Sequence, residues 1–164
     1  ALLVLDAEVK LASVRGTRRM PLAEFLVGAF ATARKPDELL TSVRFPLPSR
    51  SAVGVFRKMG LRKISCMAKV DVAVMLDGLG DGRCTSARIA IAAASPVAVR
   101  ARGAEAVLLE GPLTDERIAD AARLTAEAAE PRAGSEYKLH VVEGLARRLL
   151  RDAADELSRR GGQA

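Results

Sequence analysis

The stretch Val70-Asp71-Val72-Ala73-Val74-Met75-Leu76 constrains this chain more than any other. Its β-branched, almost unbroken apolar content is that of a strand covered on both faces, because a strand with one wet face would alternate. Gly78-Leu79-Gly80-Asp81-Gly82-Arg83 comes next. Glycines at that density, with an Asp-Gly step, predict a tight reversal into a second strand over 87–94. That strand, ARIAIAAA, is rich in alanine, and small side chains let a helix approach a sheet closely. Ahead of the buried run, Arg57, Lys58, Arg62 and Lys63 surround Gly60. They read as a cationic loop feeding the strand: either a solvated basic turn or a seat for an anionic ligand.

Upstream, residues 1–5 (ALLVL) predict a buried strand, with 8–13 (EVKLAS) as its antiparallel neighbour and a return through Arg15-Gly16-Thr17. Residues 21–26 fit one or two helical turns. Pro36 presets φ, and Asp37 and Glu38 favour the start of a short turn before a strand over 39–45. Pro46 and Pro48 stop that strand, and 46–52 (PLPSRSA) reads as a linker.

Downstream the pattern turns helical. A short helix over 101–109 ends at Gly111-Pro112. Thr114 caps a second helix, with Asp115 and Glu116 in its first turn and Ile118, Ala121, Ala122, Thr125, Ala128 and Ala129 along one face. The longest begins near Ser135, and Leu139, Val142, Ala146, Leu149, Ala153 and Leu157 recur at helical spacing. The expected fold class is α+β in two packed pieces, 1–48 and 49–164. The second is a β-hairpin or three-stranded antiparallel sheet packed on a helix bundle.

Charge and composition narrow the function. A net charge of +6 invites a nucleic-acid reading, yet the basic residues run from Lys10 to Arg160, mixed with 20 acids. Aromatics are 3% of the chain, so bases would find few stacking platforms, and no nucleic-acid partner is expected. Cys66 and Cys84 have no CxxC partner and the chain has one histidine, which excludes a standard structural zinc site and a disulfide framework. Reduced thiols in a cytoplasmic protein are the simplest reading. No apolar run reaches the length of a membrane span, and no signal-peptide pattern is present. The chain starts with Ala inside an apolar run, so further sequence is expected upstream.

No catalytic set assembles from the residues alone. His140 sits inside the last predicted helix with no nucleophile near it in sequence, and reads as structural or solvent-facing. Ser65-Cys66 lacks a base, so Cys66 reads as a packed thiol. Asp77 and Asp81 are accounted for by the hairpin, and Glu24, Asp37 and Glu38 do not form a carboxylate pair. GxGxxG, GxxxxGKS and HExxH are all absent. Any activity must come from a bound cofactor or another chain.

Several segments, in order, resemble the FAD-binding (medium) subunit of the molybdenum hydroxylases, the xanthine dehydrogenase and carbon monoxide dehydrogenase flavoprotein family. ALLVLDA at 1–7 with RGTRR at 15–19 resembles a strand pair late in the flavin-binding domain. Phe25-Leu26-Val27-Gly28 with Lys35-Pro36-Asp37-Glu38-Leu39-Leu40 resembles its "FF-x-G … x-P-x-E-[IL]-L" segment. Phe56 to Arg62 resembles "F-x-K-x-G-x-R", and IAIAAASPVAVRAR at 89–102 resembles "ALGGVAPTPVRA". Ser135-Glu136-Tyr137-Lys138 with Leu145-Ala146-Arg147-Arg148 resembles the closing "SEYR…L-x-RR" helix.

The resemblance implies the C-terminal part of such a subunit: the end of the FAD-binding domain over 1–48, then the C-terminal domain over 49–164. It implies an oxidoreductase component, inactive as this piece alone, that passes electrons from iron–sulfur clusters through FAD to an acceptor. Its partners would be an iron–sulfur subunit and a molybdopterin-binding subunit in a hetero-oligomer. The cofactor-binding positions carried over are Leu39 and Leu40, an apolar wall for the flavin, and Lys58, a flavin-contacting cation; Arg62 is a weaker candidate. The family's Gly-rich pyrophosphate loops would lie upstream, and Gly28-Ala29-Phe30 stands where many members have Gly-Tyr. The alternative is a subunit-docking module without flavin of its own.

Overall fold

A computed structural model of the chain describes residues 1–62, 66–78 and 82–161. It opens with a single 3-10 turn, Leu2–Leu5, where the sequence predicts a strand. There follow β1 (Glu8–Ser13), β2 (Gly16–Pro21), the one-turn helix α1 (Leu22–Phe25), the short β3 (Leu26–Gly28) and β4 (Ala31–Thr32), and β5 (Leu39–Arg44). The first sheet has the order β2-β1-β5, all antiparallel. Both edges of β1 are therefore taken, and residues 1–5 cannot pair with it as the sequence predicts. The segment coils instead, closed by Asp6 in the left-handed region that Asp tolerates. It lays Leu3 and Val4 on the second sheet.

That second sheet contains β6 (Val53–Gly60), β7 (Ala68–Gly78), β8 (Cys84–Ala92) and the two-residue β9 (Val99–Arg100), antiparallel in that order. Arg57 and Lys58, expected in a loop, lie in β6 itself. An edge strand tolerates charged side chains where a central strand would not, and charge there blunts pairing with other chains. Of the basic cluster only Arg62 lies beyond the strand; Lys63 lies outside the described residues, as do Ile64, Ser65, Leu79, Gly80 and Asp81. The sheet thus has three long strands and a short fourth, with the predicted hairpin between β7 and β8.

The helices α2 (Arg102–Leu109), α3 (Asp115–Glu127) and α4 (Tyr137–Gly161) cover one face of this sheet. Val70, Val72, Val74 and Leu76 of β7 and Ile89 and Ile91 of β8 are buried there against Ala101, Ala104, Ala121, Ala122, Ala146 and Ala153. Alanine on both sides of the contact is what lets sheet and helices close. The other face carries Ala73 and Ala90 under Leu3 and Val4. Burial on both faces accounts for the unbroken apolar run. Thr114 caps α3, its hydroxyl accepting from Arg117 N at 3.2 Å.

Polar anchors tie the pieces together. Ser49 and Ser51 of the linker donate to the two oxygens of Asp77 at 2.6 and 2.7 Å, so this acid serves the linker as well as the hairpin. A Cβ at Gly78 would run into the Arg83 carbonyl, which makes glycine obligatory at that bulge. Arg100 bridges Glu105 of α2 and Asp6, at 2.5 Å each, and donates to Leu3 O at 2.9 Å. Among the described residues no helix is long and apolar enough to cross a membrane.

Candidate functional site

The turn ahead of β5 is built around one buried carboxylate. Glu38 accepts from Arg18 Nε at 2.7 Å and Nη2 at 2.9 Å, a two-pronged pairing, and from Lys35 N at 2.8 Å. Arg18 also donates to Ala33 O at 2.7 Å, and Arg34 Nη1 to Glu38 O at 2.8 Å. The segment 33–38 is clamped on both sides, so β5 leaves it from a fixed point. The sequence signal was present, an Arg in one strand and a Glu before the next, but their 20-residue separation hid it.

What the clamp presents is apolar. Leu39 is 72% exposed and Leu40 43%, on a strand whose outer edge has no partner among the described residues. Val43 and Phe45 continue the exposure. By register Leu40 and Val43 lie opposite Leu11 and Val9, whereas Leu39 lies opposite Ala12, so the two adjacent leucines stand on opposite faces of β5.

The clamp titrates. Hydrogen bonding from Arg18, then from Lys35 N, holds the Glu38 carboxyl at about 2, below its ordinary 4.5. A depressed carboxylate contributes stability that is complete above the ordinary value and is lost as pH falls toward the folded value. Wild-type melting temperature is expected to fall more steeply than that of Glu38→Gln between pH 4.5 and about 2, the two curves converging at the acid end. Parallel curves across that window would rule out the clamp as a source of acid sensitivity.

Lys58 occupies a different place. It lies on β6, directly opposite Asp71 of β7, and lines an open cleft of about 870 Å³ with Met59, Gly60, Leu61, Arg62, Cys66 and Met67. A Cβ at Gly60 would meet Cys66 Sγ, so any larger residue there would turn that thiol aside. Asp71 faces a second, largely apolar cleft of about 340 Å³, whose walls include Leu3, Leu22, Leu26, Phe56 and Ala98. Burial raises the Asp71 carboxyl above its ordinary value, and Lys58 opposes that rise. Leu39 and Leu40 both lie on the first sheet and Lys58 on the second; neither leucine is in the lining of the Lys58 cleft. Asp71 was not singled out by the sequence, since an acid inside an apolar run carries no motif.

The remaining candidates supply no chemistry. His140 is an exposed residue of α4. Cys66 is half-buried and Cys84 buried, both as free thiols. No group of three or more His, Cys, Asp or Glu among the described residues could hold a metal.

Comparison with known proteins divides the chain in two. Residues 55–153 match the profile of the CO dehydrogenase flavoprotein C-terminal domain, and residues 1–48 that of the FAD binding domain in molybdopterin dehydrogenase. The alpha subunit of the 6-hydroxypseudooxynicotine dehydrogenase complex of Paenarthrobacter nicotinovorans is 33% identical over 93% of this chain and 52% of its own length. The carbon monoxide dehydrogenase medium chain of Afipia carboxidovorans is 31% identical over 91% of this chain and 52% of its own. Among solved structures, a carbon monoxide dehydrogenase from Hydrogenophaga pseudoflava superposes with a TM-score of 0.86 at 27% identity, covering 93% of this chain and 54% of that one. The chain spans about half the length of the relatives it matches.

Proposed function

The chain belongs to the family of the CO dehydrogenase flavoprotein C-terminal domain, and from that premise we propose that it is the C-terminal part of the FAD-binding subunit of a molybdenum-containing hydroxylase or dehydrogenase. In this reading the subunit passes electrons from iron–sulfur clusters through FAD to an acceptor. Iron–sulfur and molybdopterin-binding chains are its partners in a hetero-oligomer. Two free thiols are in keeping with the cytoplasm.

The observation that carries the reading is the pair of leucines on an unpartnered strand edge behind the Arg18–Glu38 clamp. Rigid apolar side chains of that kind fit the face of a flat aromatic ring, and Lys58 beside an open cleft fits its electron-rich edge. Because neither leucine lines the Lys58 cleft, the leucines and Lys58 are read as separate contacts with FAD, one apolar and one charged. When bound, FAD supplies the stepwise electron chemistry that no side chain here can perform. Leu39 and Leu40 exclude water from the ring, which strengthens every charge interaction beside it. Lys58 supplies positive charge where negative charge accumulates on reduction. Glu38 and Arg18 keep the leucine wall in place.

The test is Lys58→Ala in the complete subunit. A hydrogen bond to a charged group is worth about 1.5–3 kcal/mol, so FAD is expected to bind about tenfold or more weakly, with a lower flavin potential. Unchanged flavin content together with an unchanged potential would remove Lys58 from the site. A complete subunit that purifies with its partners but shows no flavin absorbance would instead favour the docking-module reading.

A further inference from the structure

Asp71 is the polar residue of β7 that the hydrophobic logic of the strand does not explain. Its neighbours Val70 and Val72 are fully buried against the helices. Alternation places Asp71 on the opposite face, in line with Ala73 and Met75. There its Oδ1 is buried without a hydrogen-bond partner. A carboxylate oxygen in that state is costly to keep, and a core position could have held an alanine at no such cost.

Two cations act on it: the α-ammonium of Ala1, which lines the same apolar cleft, and Lys58 across the strand pair. Lys58 of β6 is the residue in direct register with Asp71, and directly opposed residues share a face with Cβ atoms about 4.5–5.5 Å apart. The two arginines of this face are already engaged: Arg88 pairs with Asp6 at 3.0 Å, and Arg100 with Asp6 and Glu105. The anion is the fixed member, because β7 is central and covered on both faces. The cation is the mobile one, at the end of a long stem on an exposed edge strand. Phe56, two residues before Lys58 and in register with Ala73, lines the same apolar cleft as Asp71.

We propose that Asp71 is a positioning residue for Lys58: its half-buried carboxylate draws the ammonium down onto the face of the sheet and offsets part of its charge. This deepens the flavin reading and rests on it. Lys58 then presents a tempered positive charge to the cofactor, and the strand pair sets how far it is tempered. Releasing Lys58 from Asp71 would give the ring the full charge and favour its reduced, more negative form.

The experiment uses the complete subunit loaded with FAD, with the flavin midpoint potential followed by redox titration and FAD affinity by fluorescence. Asp71→Asn is expected to raise the potential, opposite in sign to Lys58→Ala, and to tighten FAD rather than loosen it. Asp71→Glu, which restores the charge, is expected to stay on the wild-type side of Asp71→Asn. In a Lys58→Ala background the rise caused by Asp71→Asn should shrink, since no lysine is left to release. An equal rise without Lys58, or no rise with it, overturns the pairing. Should Lys58→Ala lower the potential while Asp71→Asn does nothing, only the pairing fails; should Lys58→Ala change neither content nor potential, the flavin reading of Lys58 fails first and the pairing with it. The asparagine is isosteric and relieves a half-buried charge, so its melting temperature should match or exceed wild type. A clear loss of melting temperature would mark Asp71 as a structural anion and count against the proposal.

Discussion

Arg100→Ala is expected to destabilise the fold by about 3–5 kcal/mol, the loss typical when one member of a buried ion pair is removed. The Arg100 side chain is 6% exposed and that of Glu105 7%, so the truncation leaves a carboxylate with little access to water and only the longer Arg102 contact, at 3.3 Å, to answer its charge. Glu105 Oε1 also accepts from Ile89 N at 2.9 Å, which ties the acid to the central sheet and prevents it from swinging out to solvent. The same substitution frees Leu3 O and leaves Asp6 with Arg88 alone, so the N-terminal turn keeps only part of its anchor on the second sheet. Urea unfolding measures the loss. A double replacement, Arg100→Leu with Glu105→Leu, should recover much of it, because the pair as a whole is worth far less than one member stranded. Arg123→Ala breaks only the exposed pair with Glu127 and should cost well under about 1 kcal/mol. If Arg100→Ala proved as mild as Arg123→Ala, the network would be ornamental.

That network marks the border of what the sequence discloses. Local signals read well: the Gly78–Gly82 reversal, the Thr114 cap, the Pro46 stop and the periodicity of the last helix each depend on neighbours in sequence. Residues 1–5 misled because a short apolar run suits a strand or a coil equally, and only the pairing of β1 with both β2 and β5 closes the predicted edge to it. Residues 57–60 misled for the opposite reason. Their charges argue for a loop, but an exposed edge strand accepts them. Leu39, Leu40 and Lys58 are proposed for the site on family resemblance alone. The groups around them, Glu38 with Arg18 and Asp71 with Lys58, are meetings across 20 and 13 residues that no local pattern announces.

Leu150→Ala tests the same border in the core. Helical spacing picks out Leu139, Val142, Ala146, Leu149, Ala153 and Leu157 as one seam of α4; Leu139 is half-buried and the other five are buried. Leu150, four residues after Ala146 and three before Ala153, borders that seam and is fully buried as well. The helix packs on the second sheet and on α3 together, so its apolar stripe must be wider than a single line of residues. Leu150 belongs to the widened part. Truncation leaves a void among rigid neighbours, and the alanine-rich packing offers no long side chain able to collapse into it. The expected loss is about 2–5 kcal/mol, with a lower urea midpoint and an unchanged denaturant slope. Arg148→Ala, on the exposed side of the same helix, should stay within about 0.5 kcal/mol of wild type. A Leu150→Ala variant as stable as Arg148→Ala would mean that α4 sits on the sheet by one seam only, and the two-sided packing of the helix layer would have to be redrawn.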